Sequence, residues 1–206
     1  MGGTLTSSTV LLETLCSHLW KLYDKKQPWV FESWTFDAVF EQVCHKPLED
    51  WLAETPETCQ TERLSEAYAH SFYPWLKARP GFILIHGFPA PMAMLAKPQH
   101  SDRPRQRHGR WELHYQSIEL LNGYEEIETL SDLTQHVNRY PDLLNHARIH
   151  GSQLLDPRTS KILEAHPLPP CAGNALGINR LLMILLGQDQ IHKPPCYDSP
   201  CYTSGV

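Results

Sequence analysis

The stretch Arg110-Trp111-Glu112-Leu113-His114-Tyr115-Gln116-Ser117-Ile118-Glu119-Leu120-Leu121-Asn122-Gly123-Tyr124-Glu125-Glu126 decides the fold. Trp111, Leu113 and Tyr115 alternate with Glu112, His114 and Gln116, the period-two pattern of a strand with one apolar and one polar face. Glu112 and Glu119 lie an odd number of residues apart, so an unbroken strand would aim them at opposite faces. If both carboxylates serve one site, a bulge or bend must lie between them. Taken singly, these acids have a plainer reading, with Glu112 on a solvated strand face and Glu125-Glu126 in a solvated turn.

Upstream, Pro80-Gly81 introduces Phe82-Ile83-Leu84-Ile85, a short apolar run typical of a strand buried on both faces, which continues into Phe88-Pro89-Ala90. Pro98 to Gly109 is polar and reads as a mobile connection. Within it His108 stands among Arg103, Arg105, Arg107 and Arg110, a basic cluster that either meets phosphate or is solvated. Downstream, residues 130–155 and 160–165 read as helices, the first interrupted by Pro141 and Gly151. Then Gly173-Asn174-Ala175-Leu176-Gly177 leads into an apolar helix from Ile178 to Leu186 that stops at Gly187.

The first 80 residues read as mainly helical. Leu11, Leu12, Leu15, Leu19 and Leu22 mark a helix from Ser8 to about Lys25, and Phe36, Val39, Phe40 and Val43 mark a second that ends before Pro47. A short third runs from Pro47 through Trp51. Leu64, Ala67, Tyr68 and Phe72 mark a fourth that Pro74 kinks or stops. Three segments are therefore expected: a helical region over 1–80, a core over 81–187, and a poorly ordered tail over 188–206.

The 18 Lys+Arg against 23 Asp+Glu give a net charge of −5, and 41% of residues are hydrophobic. Mild acidity argues against a sequence-blind nucleic-acid binder, which needs a basic face. No apolar run reaches the roughly 20 residues needed to span a bilayer, and no export signal opens the chain, so no membrane partner and a cytoplasmic location are expected. Gly2 followed by Thr6 fits only a loose myristoylation pattern. The six cysteines include no C-x-x-C and read as reduced thiols. His146 and His150 lie four apart on an expected helix, with His136 ten residues before His146, a set that either clasps a divalent metal or faces solvent.

Read together, three stretches resemble a known family. Arg110 to Leu113, followed by Glu119, Asn122-Gly123-Tyr124 and Glu126, is similar to R-F-E-L and E-x-A-N-G-F-x-E-L of class II lysyl-type synthetase cores. Phe88-Pro89-Ala90 with Ala93 and Leu95-Ala96 resembles F-P-A-x-x-A-x-L-A. Gly173 to Arg180 resembles the glycine-rich strand that ends in D-R before an apolar helix. The likeness covers about Phe82 to Gly187 and is of the elongation factor P lysyltransferase type, paralogous to lysyl-tRNA synthetase.

The resemblance implies an α+β fold, an antiparallel sheet flanked by helices, with Arg110 to Glu119 and Cys171 to Gly177 as neighbouring strands. It implies ATP and magnesium as cofactors, with Glu112 and Glu119 as metal ligands, because acidic residues on a rigid sheet can hold the ion that neutralises the phosphates. It places Asn122 near the amino acid's carboxylate end and Glu126 on a lysine ammonium. Arg180 is implied as the catalytic arginine reaching the ATP phosphates and adenine, and Gly173 and Gly177 as the glycines that admit the nucleotide. Without the motif order, Gly173 to Arg180 reads as a plain strand followed by a core helix.

Asn179 stands where the family has an acid, and Asn174-Ala175 where it has an apolar then a small residue. The family's first motif, which builds a dimer interface, and its second, with an F-R-x-E arginine, are not found upstream of Phe82. The expectation is a truncated ATP-dependent ligase core, incomplete alone, acting on lysine or a lysine-like substrate with elongation factor P or tRNA as acceptor, with a second chain as a candidate source of the missing motifs. The alternative is a non-catalytic interaction protein built on the same sheet.

Overall fold

The computed structural model describes residues 3–22, 30–93, 95–99, 107–138 and 156–191. Gly2, Arg103, Arg105, His146, His150 and the tail beyond Ile191 lie outside the described residues. The elements are α1 (Gly3–Leu22), β1 (Phe31–Thr35), α2 (Phe36–Cys44), α3 (Leu48–Glu54), α4 (Glu57–Ala67), a π-helical turn (Tyr68–Phe72) and α5 (Tyr73–Lys77). There follow β2 (Phe82–Pro89), a 3-10 turn (Ala90–Met92), β3 (Pro98–Gln99), β4 (Arg107–Tyr115), β5 (Ile118–Glu125), α6 (Leu130–Asn138), α7 (Pro157–Ala165), β6 (Ala172–Leu176) and α8 (Ile178–Leu185).

The strands form one sheet in the order β1-β2-β4-β5-β6, with β3 added to β4; β1 runs parallel to β2 and the other pairs are antiparallel. The decisive stretch is two strands rather than one. Gln116 adopts φ 53° and, with Ser117, turns the chain back, so β5 lies between β4 and β6. That corrects the expectation that Arg110 to Glu119 directly neighbours Cys171 to Gly177.

Each sheet face carries its own core. On one face Phe36, Phe40, Leu64 and Phe72 pack with Ile83, Ile85 and Phe88; on the other Leu12, Trp20 and Leu181 pack with Phe82, Leu84, Trp111 and Leu113. The first core draws on residues from both sides of position 80, and β1 lies before that position. The helical region and the sheet therefore pack together, so the expected division at 80/81 does not separate two cores.

Local chemistry explains the elements. Thr35 caps α2 by accepting from the Ala38 amide at 3.2 Å, and His45 closes it at φ 53°. In α1 the buried stripe is Leu12, Cys16 and Trp20, leaving Leu11, Leu15 and Leu22 exposed. The stripe follows Trp20, whose indole packs 5.5 Å edge-on to Phe82 and 5.6 Å from Tyr115. Pro74 has no amide hydrogen to donate, and the helix widens by one residue just before it, the Tyr73 amide bonding back to the Tyr68 carbonyl. At the C-terminus of α8, Gly187 at φ 67° and the Gln188 amide bonded to the Met183 carbonyl at 2.9 Å end the helix.

Two members of the expected basic cluster are buried. Arg107, 5% exposed, donates to Asp37 Oδ1 at 2.9 Å and Glu49 Oε1 at 2.6 Å, tying β4 to α2 and α3. Replacing Arg107 by Ala is expected to cost about 3 kcal/mol, read as a lowered urea midpoint, since it strands two partly buried carboxylates. His108 is fully buried, and its Nδ1–H donates to the Ala93 and Ala96 carbonyls, each at 2.9 Å. Burial first, then the neighbouring His136 ring, lowers its pKa to about 4. The unfolded chain therefore binds this proton more readily, and stability is expected to fall as pH drops from about 6.5 to about 4. The loss should total about 3 kcal/mol and be largely absent in His108→Gln, measured as denaturant midpoint against pH.

Candidate functional site

Strand registers sort the expected site residues by face. Arg110 pairs with Tyr124 and Tyr124 with Gly173; Glu112 pairs with Asn122 and Asn122 with Ala175. These rows share the face packed by α2 to α5. The alternate rows, Trp111-Gly123-Asn174 and Leu113-Leu121-Leu176, occupy the opposite face.

The bend required between Glu112 and Glu119 is a bulge. Leu113 pairs with Leu121 and His114 with Glu119, leaving Leu120 as the extra residue. Leu120 and Leu121 both turn into the back core, so Glu119 joins Glu112, His114 and Asn122 on the other face. The bulge also anchors α8: the Leu120 carbonyl accepts from the Gly177 amide at 2.7 Å, and the Glu119 carbonyl from Arg180 Nη1 at 2.7 Å. The Arg180 side chain is exposed.

Glu112 is not on a solvated strand face; it is 4% exposed. Tyr68 OH donates to its Oε2 at 2.5 Å, His114 Nε2 lies 3.0 Å from the same oxygen, and Arg110 Nη2 pairs with its Oε1. The single phenolic hydrogen goes to Glu112, which makes His114 Nε2 the donor to both Glu112 and the Tyr68 oxygen 3.1 Å away. Burial raises the Glu112 pKa, but the hydrogen bond from His114 and the charge of Arg110 outweigh it and hold the carboxyl below its ordinary range. Arg110 also donates to Asn122 Oδ1 at 3.3 Å and to the Met92 carbonyl, with its guanidinium 4.7 Å over the Phe88 ring.

Sequence reading missed Tyr68, Tyr73, Arg110 and His114 as parts of this site. Tyr68 appeared only as a helix-face aromatic, although it comes from the π-helical turn, a geometry frequent at functional sites. Tyr73 packs edge-on to Tyr68 with centroids 5.5 Å apart. Its pKa is raised by burial and by the charges of Glu112 and Glu119 and lowered by Arg180, so the phenol feels the charge of all three expected residues.

Glu126 sits apart from them. Its amide donates to the Cys171 carbonyl at 3.0 Å, and a Cβ on Gly173 would stand 3.3 Å from its Oε1. Burial raises its pKa, and its charge acts on the Tyr124 phenol. Tyr124 lines a cavity of about 400 Å³ with Arg110 and Asn122 on the sheet and Ser65, Met92 and Leu95 opposite. Gly173 thus makes room for Glu126, and Gly177 meets the bulge.

A family model described as tRNA synthetases class II (D, K and N) matches residues 7–197. The chain belongs to this family. Among relatives, the elongation factor P–(R)-β-lysine ligase of Vibrio cholerae is 38% identical over 119 residues, 56% of this chain and 35% of that protein. The enzyme of the same name from Pseudoalteromonas translucida is 34% identical over 116 residues, covering 55% and 34%. That from an Enterobacter species is 35% identical over 143 residues, covering 68% and 41%. The chain spans about a third of the length of the curated relatives it matches. No helix among the described residues is long and apolar enough to cross a membrane.

By the resemblance, Glu112 and Glu119 were the expected magnesium ligands. The observed donor set does not fit that ion. Three donors engage the Glu112 carboxylate, one of them a cation, and no group of three acidic, histidine or cysteine residues converges for a metal among the described residues.

Proposed function

We propose that this chain is a lysine-recognising module of the elongation factor P lysine ligase type that does not form an adenylate by itself. The observation that carries this reading is Glu126, a carboxylate with no ion pair among the described residues, two positions beyond Tyr124, which lines a cavity of about 400 Å³ and whose phenol feels the Glu126 charge. A partly desolvated carboxylate gains more from an incoming ammonium than a hydrated one does. The apolar wall of Pro91, Met92 and Leu95 suits the methylenes of a lysine or β-lysine chain, while Arg110 and Asn122 give the other end polar partners. Elongation factor P, named in the relatives, is the acceptor we carry over.

No nucleotide step is assigned, because Glu112 is enclosed and no F-R-x-E arginine precedes Phe82 in the sequence. Losing one such electrostatic donor lowers rates by about a hundredfold or more. Lysine-dependent pyrophosphate exchange is therefore expected to stay at background, and exchange at ordinary synthetase rates would refute this half of the reading.

Calorimetric titration with lysine and β-lysine tests the other half. Weak binding is expected, about millimolar, and Glu126→Gln should remove it. Binding should also fall with acidification through the raised titration range of Glu126, because only the ionised carboxylate holds the ammonium. The enclosure of Glu112 favours the interaction-protein reading as the second possibility, and absence of lysine binding with the fold intact would select it.

A further inference from the structure

Trp111, Gly123 and Asn174 form one row across β4, β5 and β6. The Trp111 indole Nε1–H donates to Asn174 Oδ1 at 2.7 Å, passing over the strand between them. It passes because Gly123 has no side chain: a Cβ there would overlap Asn174 Oδ1 and the indole nitrogen and lie 2.7 Å from Cε2. Both ends of the bond depart from the pattern this chain resembles, Trp111 standing for phenylalanine and Asn174 for an apolar residue. The bond joins a fully buried indole to the amide of an exposed residue on β6.

The strut lies beside the start of β6, where the chain holds Glu126. The Cys171 carbonyl accepts from the Glu126 amide, and Gly173, immediately before Asn174, makes room for the Glu126 carboxylate. Among the described residues, β6 is hydrogen-bonded in the sheet to β5 alone. The side-chain bond to β4 is therefore a tether beyond the ladder, fixing the strand that fixes Glu126.

We propose that Asn174 and Trp111 are a paired positioning device that sets the placement of Glu126 through β6, and so sets the ammonium-binding geometry of the site. The link to an ammonium rests on the lysine-recognition reading; the link to Glu126 does not. Asn174→Val leaves a buried indole N–H without its acceptor. Combining it with Trp111→Phe sets two apolar side chains opposite each other, with nothing left unsatisfied.

The test uses the whole chain as wild type, Asn174→Val, Trp111→Phe and the double variant. Three quantities are measured: the indole resonances in ¹H–¹⁵N spectra, the carboxyl titration of Glu126 by ¹³C NMR without ligand, and lysine affinity. Asn174→Val is expected to move the Trp111 Nε1–H resonance, shift the Glu126 titration and weaken lysine binding about tenfold. The double variant should return both the titration and the affinity to within about twofold of wild type, a rescue that general destabilisation would not give. If Asn174→Val does not fold, Trp111→Phe alone should still shift the Glu126 titration.

Unchanged Glu126 titration in the single variants, or a double variant as displaced as Asn174→Val, would overturn the proposal. If Glu126 responds and is rescued as described while wild type binds no lysine, the positioning device stands and the lysine reading fails.

Discussion

Glu112→Ala is expected to destabilise the fold by about 3 to 5 kcal/mol, the cost of breaking a buried ion pair by removing one member. The substitution strands the Arg110 guanidinium, the Tyr68 hydroxyl and the His114 ring nitrogen in a closed space, since all three converge on this carboxylate. Glu112→Gln keeps the shape but loses the charge and places an amide against Arg110, so an intermediate loss is expected. Urea unfolding of the two variants checks the order. The charge also sets an acid limit: with a folded pKa held below its unfolded value, Glu112 contributes fully above that value, about 4.5, and its contribution is lost as pH falls through the folded pKa. This window lies largely below the His108 window, so wild type should lose stability on acidification in two stages. His108→Gln removes the upper stage and Glu112→Gln the lower.

Gly123→Ala should cost about 3 kcal/mol, at the upper end for overpacking a core. The added methyl meets the exposed Asn174 amide, which can turn aside, but also the Trp111 indole nitrogen and Cε2, and that ring is fully buried in the back core. Gly173→Ala is the informative contrast. Its methyl would meet only Glu126 Oε1, at 3.3 Å, and the end of a glutamate can move by a few tenths of an ångström. Thermal unfolding is expected to separate the two, with Gly173→Ala near wild type in stability.

The elements with strong local signals were legible in the sequence. Phe36, Val39 and Phe40 lie on the buried face of α2, and Gly187 ends α8, as spacing and glycine chemistry dictate. The motif order pointed to the family, and the parity of Glu112 and Glu119 required the bend that Leu120 supplies. What was not legible depends on contacts between distant segments. Nothing near Arg107 indicates that Asp37 and Glu49 will neutralise it, so a buried arginine reads as part of a solvated loop. Likewise the polar face of β4 reads as exposed until Tyr68, 44 residues earlier, is seen to cover Glu112. The pairing of Trp111 with Asn174 is hidden for the same reason, since each residue alone is only a departure from a pattern.

The bulge in β5 makes this strand unequally sensitive to changes of length. Elsewhere along it, adding or removing one residue would exchange the two faces, sending Asn122 and Tyr124 into the leucine core. Removing Leu120 alone would leave a regular alternation in which Glu119 and Asn122 keep their present sides. It would also delete the carbonyl that receives Gly177 and displace the neighbouring one that receives Arg180. A single in-frame codon deletion can therefore separate the two roles of this residue, preserving the sidedness of the acids while unmooring the helix that follows β6.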